Sequence, residues 1–301
     1  MNGRFRCSLA SAQRDDELAG TASTVRAFLL VECIGSWGVD ALRDSRLPEE
    51  TKRVLRSAKA LGVRANLVRR HRVSARQDGV RVFAAYADPV RPWLETTVLD
   101  SPAAVADLDL TALGAGRSPG LTPVSESVFG VCTHGRHDAC CAELGRPVAT
   151  ALSHAQPDAT WEISHIGGDR FAGNLLVLPH GLYYGRVDPP AAVSIAATHR
   201  SGHLDLDHLR GRSSYPMSVQ AAEIALRRQL GETALDTVRP VSRRRDGAEW
   251  HAVFDVGAER WEVVLRSALD ETVRHRLTCL AVKPDAIPRH DVLAVRRLGT
   301  A

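Results

Sequence analysis

The sequence predicts an α/β protein, with α+β as the alternative. Three observations carry this. Apolar runs rich in strand formers alternate with helical segments over the first hundred residues. A strand, a loop, a helix and a second strand in succession carry the clustered cysteines, and hairpin signals dominate the last hundred residues. Length, 301 residues, favours more than one compact unit, and a composition of 44% hydrophobic and 25% charged residues is that of a folding chain.

The first strand is VRAFLLVE, Val25 to Glu32. Pro48-Glu49-Glu50 then opens a helix to about Leu61, since proline and acids suit a helix start and Gly62 suits its cap. Strands follow at Val63 to Arg70, Val80 to Ala87 and Trp93 to Leu99, a βαββ pattern. The stretch after Ser101 is rich in Ala, Gly, Pro and Ser, and 111–125 reads as a linker. Ser127 to Val131 is the next strand, so Cys132 stands at its end. A helix around Cys141 to Leu152 and a strand at Thr160 to Ser164 place His165 at a strand end as well. Asn174 to Pro179 and Leu182 to Val187 form a hairpin around His180-Gly181, and Pro189-Pro190 starts another helix.

Beyond Ser201, Ser218 to Leu230 has helical spacing with the serine placed as N-cap. EWHAVFDV and ERWEVVLRS read as a hairpin, with RLTCLAVKP and VLAVRRL as later strands. The expected organisation is an N-terminal unit at 1–110, the linker at 111–125, a second unit at 126–200, and a helix with a β-rich appendage at 201–301.

The net charge of +4 is small and the basic residues are dispersed, which argues against a nucleic-acid partner. The run Arg243 to Arg245 reads as a solvated loop beside a hairpin. The first twenty residues lack the apolar core of a signal peptide, and no segment offers ~18 uninterrupted apolar residues. A cytoplasmic protein without a membrane partner is the expectation. Its cysteines are then reduced, so the cluster Cys132, Cys140, Cys141 points to metal or redox chemistry.

Cys132 and Cys141 are separated by eight residues in VCTHGRHDACCAELGRP, a loop long enough to bring two thiolates to one side of a metal centre. Thiolate selects iron-sulfur, zinc or copper(I) over hard cations. Further on, His165 and Asp169 flank Gly167-Gly168, whose glycines let backbone pass close to a bulky group. The two segments meet if their strands are neighbours.

CTHGRHDACC, GRP, HIGGDRFAGN and LLVLPHGLYYGR, with the looser GTAS, FLLVE and GSWG upstream, resemble the sucrase/ferredoxin-like family, relatives of thioredoxin-like 2Fe-2S ferredoxins. The resemblance covers the first two thirds of the chain. It implies two thioredoxin-like domains, the second holding a 2Fe-2S cluster through two cysteines at C-x8-C spacing and, in fungal members, two histidines at H-x3-H. Carried over by position, Cys132, Cys141 and His165 match, whereas Asp169 stands where the second histidine is expected. Asp169 is therefore the expected fourth ligand, with water, His134 or His137 as alternatives. Arg170 and Asn174 are expected to hold the glycine turn, and Cys7, Cys33 and Cys279 to be buried apolar thiols.

The function implied is a one-electron carrier, or the electron-transfer component of a reductase system, rather than a stand-alone enzyme. It needs a donor such as a flavoprotein reductase, because no Rossmann or Walker fingerprint is present. Two other classes fit the residues alone: a cluster-free thiol redox protein, although no CxxC occurs, and a zinc-binding structural module.

Overall fold

A computed structural model of the protein describes residues 5–71 and 79–300. Met1 to Arg4, the start of the segment weighed above as a signal peptide, lie outside the described residues. The architecture is mixed α/β. The chain runs through α1 (Cys7–Gln13), β1 (Ala27–Glu32), α2 (Ala41–Asp44), α3 (Glu49–Ser57), β2 (Val63–Arg69), β3 (Val80–Tyr86), β4 (Trp93–Leu99), α4 (Leu110–Gly114) and β5 (Thr122–Pro123). It continues through β6 (Val128–Cys132), α5 (Ala139–Ala155), β7 (Thr160–Ile163), β8 (Leu175–Leu178), β9 (Leu182–Tyr184), α6 (Pro189–Arg200), β10 (Leu209–Arg212) and α7 (Met217–Leu230). The last strands are β11 (Val238–Asp246), β12 (Glu249–Val256), β13 (Glu259–His275) and β14 (Asp285–Thr300).

Ten strands form one sheet in the order β10-β9-β8-β6-β7-β2-β1-β3-β4-β5. The order repeats. In the first half β1 lies parallel to β2 and antiparallel to β3, which pairs with β4; in the second, β6 lies parallel to β7 and antiparallel to β8, which pairs with β9. The halves join where β2 and β7 run antiparallel, Val68 opposite Ile163 and Arg69 opposite Glu162. Glu162 binds this seam, taking Arg69, His71 and the Thr133 hydroxyl at 2.6–2.8 Å. The 111–125 segment carries most of α4 and all of β5, which pairs with β4, and Leu113 there is fully buried.

Central strands are apolar on both faces, as strands covered on both sides must be. Phe129 and Val131 pack under α5 and α6, while Val128 and Cys132 face the other way, among Phe28, Leu30, Ile163 and Tyr183. That shared cluster draws on both halves, and Phe83 of β3 meets Trp161 of β7 at 5.3 Å between ring centroids. These strands are three places apart, about 14 Å in a flat sheet. The sheet therefore curls, with this face inward.

Three expectations are corrected beyond residue 201. RLTCLAVKP is not a strand: Leu280 and Val282 are exposed, and the segment is the connection between β13 and β14. Arg243 to Arg245 lie in β11, paired with β12, with their side chains exposed, rather than in a loop. The N-cap of α7 is Pro216, and Ser218 sits inside the first turn. The four-stranded sheet β11-β12-β13-β14 packs its apolar face on α7, with Phe254, Val263 and Leu265 against Ala222 and Leu226.

Candidate metal centre

Parallel β6 and β7 deliver Cys132 and His165 to one sheet end. Cys132 is paired with Ile163, two residues before His165. Cys141 arrives from α5, whose start is fixed by Asp138 as N-cap, its carboxylate accepting the Cys140 N–H at 2.9 Å. Gly145 lets this helix close on the strand, since a Cβ there would run into the Cys132 carbonyl oxygen. Cys141 thereby reaches Cys132.

The second segment turns sharply at Gly167 and Gly168, with φ of 97° and 82°. Asn174 donates to the Gly168 carbonyl at 2.9 Å, as expected. Arg170 does not join it: its guanidinium lies over Phe171, with Nε 3.5 Å from Asp16. The second clamp is Arg210, fully buried, which donates to Gly167 O at 2.9 Å, Asn174 Oδ1 at 2.8 Å and Thr21 O at 2.6 Å. Burial lowers its pKa to about 10, which leaves it charged at neutral pH.

The turn sets Asp169, 3% exposed, at the middle of the site. The Cys141 thiol donates to Asp169 Oδ1 at 3.3 Å, and His165 Nδ1 lies 3.0 Å from the same oxygen. That approach is out of line for a hydrogen bond, so His165 Nδ1 is a buried nitrogen without a hydrogen-bond partner among the described residues. His137 Nε2 is 3.7 Å from the other Asp169 oxygen, and its ring lies 3.8 Å from the His165 ring. His134 stands apart. Its Nδ1 accepts the His165 N–H at 3.2 Å and its Nε2 donates to Gly38 O at 2.9 Å, so both nitrogens are committed.

Charge follows from these contacts. The neighbouring Cys141 thiol holds the Cys132 thiol below its ordinary pKa, and Cys132 in turn drives Cys141 well above its own. Burial pushes Asp169 up, but His165, then His137, outweigh it and hold the carboxyl low. Burial likewise pushes His165 down, and Asp169 outweighs it upward. Burial lowers His134, in keeping with its neutral role. The result is an anionic, mostly buried set of soft and hard donors in the series Cys132, Cys141, Asp169, His165. These residues fit a metal group that takes thiolate, carboxylate and imidazole together.

The model of the sucrase/ferredoxin-like family matches residues 18–211. The chain belongs to the sucrase/ferredoxin-like family. No curated protein and no solved structure matched it. The family match spans both halves of the ten-stranded sheet and every residue of the donor series. It also takes in Arg210, which sequence reasoning missed because an arginine forty residues beyond the turn carries no local signal.

Cys140 does not join Cys132 and Cys141. Its sulfur lies 3.8 Å from Cys7 and 3.4 Å from Cys279, so Cys140 forms a separate group with two thiols expected only as apolar packing residues.

Proposed function

We propose that Cys132, Cys141, His165 and Asp169 hold a 2Fe-2S cluster and that the protein is a ferredoxin-like electron carrier. Asp169 carries this reading: a buried carboxylate within 3.3 Å of the Cys141 sulfur and 3.0 Å of an orphaned histidine nitrogen joins the two halves of the donor set. The repeated strand order of the two halves supports the thioredoxin-like reading of each. When bound, such a cluster supplies one-electron redox chemistry.

The chain's own groups tune and gate it. Cys132 and Asp169 are buried, whereas His165 and His137 are half-buried and border a depression lined by Asp40, Arg43 and Arg64. This histidine edge is where a redox partner docks, a flavoprotein reductase as donor and an acceptor protein in turn. The protein works in the cytoplasm on this reading; no helix among the described residues is long and apolar enough to cross a membrane. The protein acts as a component of a reductase system rather than as a stand-alone enzyme.

A second reading is a single ion, because ligand atoms of His137, His165 and Asp169 all lie within 4.8 Å of one another. Protein purified without oxygen decides. Iron and acid-labile sulfide in equal amounts, a brown colour and visible charge-transfer absorption support the cluster; one metal without sulfide supports the single ion.

A further inference from the structure

We propose that Cys7, Cys140, Cys279 and Asp138 form a second metal site, a closed tetrahedral zinc site that is separate from the donor series of the first. Three segments far apart in the chain meet there. Cys7 opens α1, Cys140 lies in the first turn of α5, and Cys279 sits in the connection between β13 and β14. Two of the three cysteines lie outside the family match.

The geometry is that of one ion. The three sulfurs are separated by 3.8, 3.4 and 3.6 Å. Zinc bound tetrahedrally at a Zn–S distance of about 2.3 Å requires sulfurs about 3.8 Å apart. Both Asp138 oxygens are 3.6 Å from the Cys7 sulfur. A zinc–oxygen distance of about 2.0–2.2 Å gives a sulfur–oxygen edge of about 3.5–3.7 Å. Ligand atoms of all four residues lie within 4.8 Å of one another, a spacing that one ion spans.

The surroundings point the same way. Asp138 is 1% exposed, and among the described residues no lysine, arginine or histidine pairs with it. A buried carboxylate beside three thiols is costly without a cation. Its orientation is fixed by backbone N–H groups of two ligand residues, Oδ1 accepting the Cys140 N–H at 2.9 Å and Oδ2 the Cys279 N–H at 2.7 Å. Such outer contacts characterise ligating carboxylates. They also explain why RLTCLAVKP abandons strand pairing: the Cys279 backbone is drawn to Asp138. A disulfide between any two of these thiols leaves the buried Asp138 carboxylate and the third thiol beside it unexplained.

The site ties the N-terminal helix and the β13–β14 connection to the start of α5. Cys140 faces the zinc and Cys141 the other centre, so one helical turn serves both. Zinc binding displaces the thiol protons to solvent, with no redox step.

Elemental analysis of the full-length chain as purified under reducing conditions, with Cys7→Ser, Cys279→Ser and Cys132→Ser alongside, tests the proposal. One zinc per chain in the wild type and in Cys132→Ser, with zinc lost from Cys7→Ser and Cys279→Ser, is expected. Wild-type protein without zinc, or Cys279→Ser that keeps its zinc, overturns it. So does a wild-type mass that shows a disulfide among the three thiols. Should the serine variants fail to fold, wild-type chain grown in cobalt medium settles the matter: the visible spectrum of tetrahedral cobalt with thiolate charge transfer supports the site, and its absence refutes it.

Discussion

Cys141 and Asp169, 28 positions apart in sequence, meet at 3.3 Å between sulfur and Oδ1, and this contact couples the helix-borne thiol to the glycine turn. A carboxylate placed there is anionic and hard, so it favours the ferric state more than an imidazole does. With Asp169 as a ligand of the proposed cluster, Asp169→His is expected to retain the cluster at a higher reduction potential, and Asp169→Ala to lose most of its iron. Protein-film voltammetry and iron analysis check both outcomes.

Arg210 donates to the carbonyls of Gly167 and Thr21 and to Asn174, all in a buried setting. Removing it strands several acceptors, each worth about 1–3 kcal/mol when left unsatisfied. Arg210→Met is expected to lose at least about 3 kcal/mol in denaturant unfolding. Arg210→Lys restores little of it, because an ammonium lacks the planar fork that reaches separate acceptors.

Gly168 has φ of 82°, and a Cβ there would meet the Arg210 guanidinium. Gly168→Ala combines backbone strain with displacement of that clamp, at a cost of about 1–3 kcal/mol. Iron occupancy measured beside unfolding stability is expected to fall with it.

His180 and His199 face each other at 5.0 Å. Burial above all, with nearby cationic groups, lowers them to about 3 and about 4. Both are neutral in the fold at pH values where the unfolded chain, with pKa about 6.5, already takes up protons. Stability is therefore full above about pH 6.5 and falls as pH drops towards 4, by about 2 kcal/mol for each histidine between pH 7 and 5. Urea unfolding across that range is expected to show the loss, and His199→Gln to flatten it.

What the sequence made legible was local. The run Trp93 to Leu99 and the segment EWHAVFDV form the strands their alternation predicts, and Gly62 caps its helix with φ of 76°. The segments CTHGRHDACC and HIGGDRFAGN meet because β6 and β7 are parallel neighbours, which two strand ends with matching residues already suggested. What escaped depends on distance. Arg210 reaches the turn from β10, and Cys7 and Cys279 reach Asp138 from opposite ends of the chain. RLTCLAVKP has the apolar spacing of a strand, but Val282 is exposed and the Cys279 N–H donates to Asp138 rather than to a neighbouring strand. His137, an alternative ligand by sequence, brings its ring to 3.8 Å from that of His165, a closeness that its loop position does not signal.

The proposed cluster has mixed ligation by two cysteines, one histidine and one aspartate. Pulsed electron paramagnetic resonance of the reduced protein, with nitrogen-labelled histidine, tests it most directly. A half-integer-spin signal coupled strongly to a single imidazole nitrogen is the predicted result. No such signal, or a signal with two equivalent strongly coupled nitrogens or none, contradicts it.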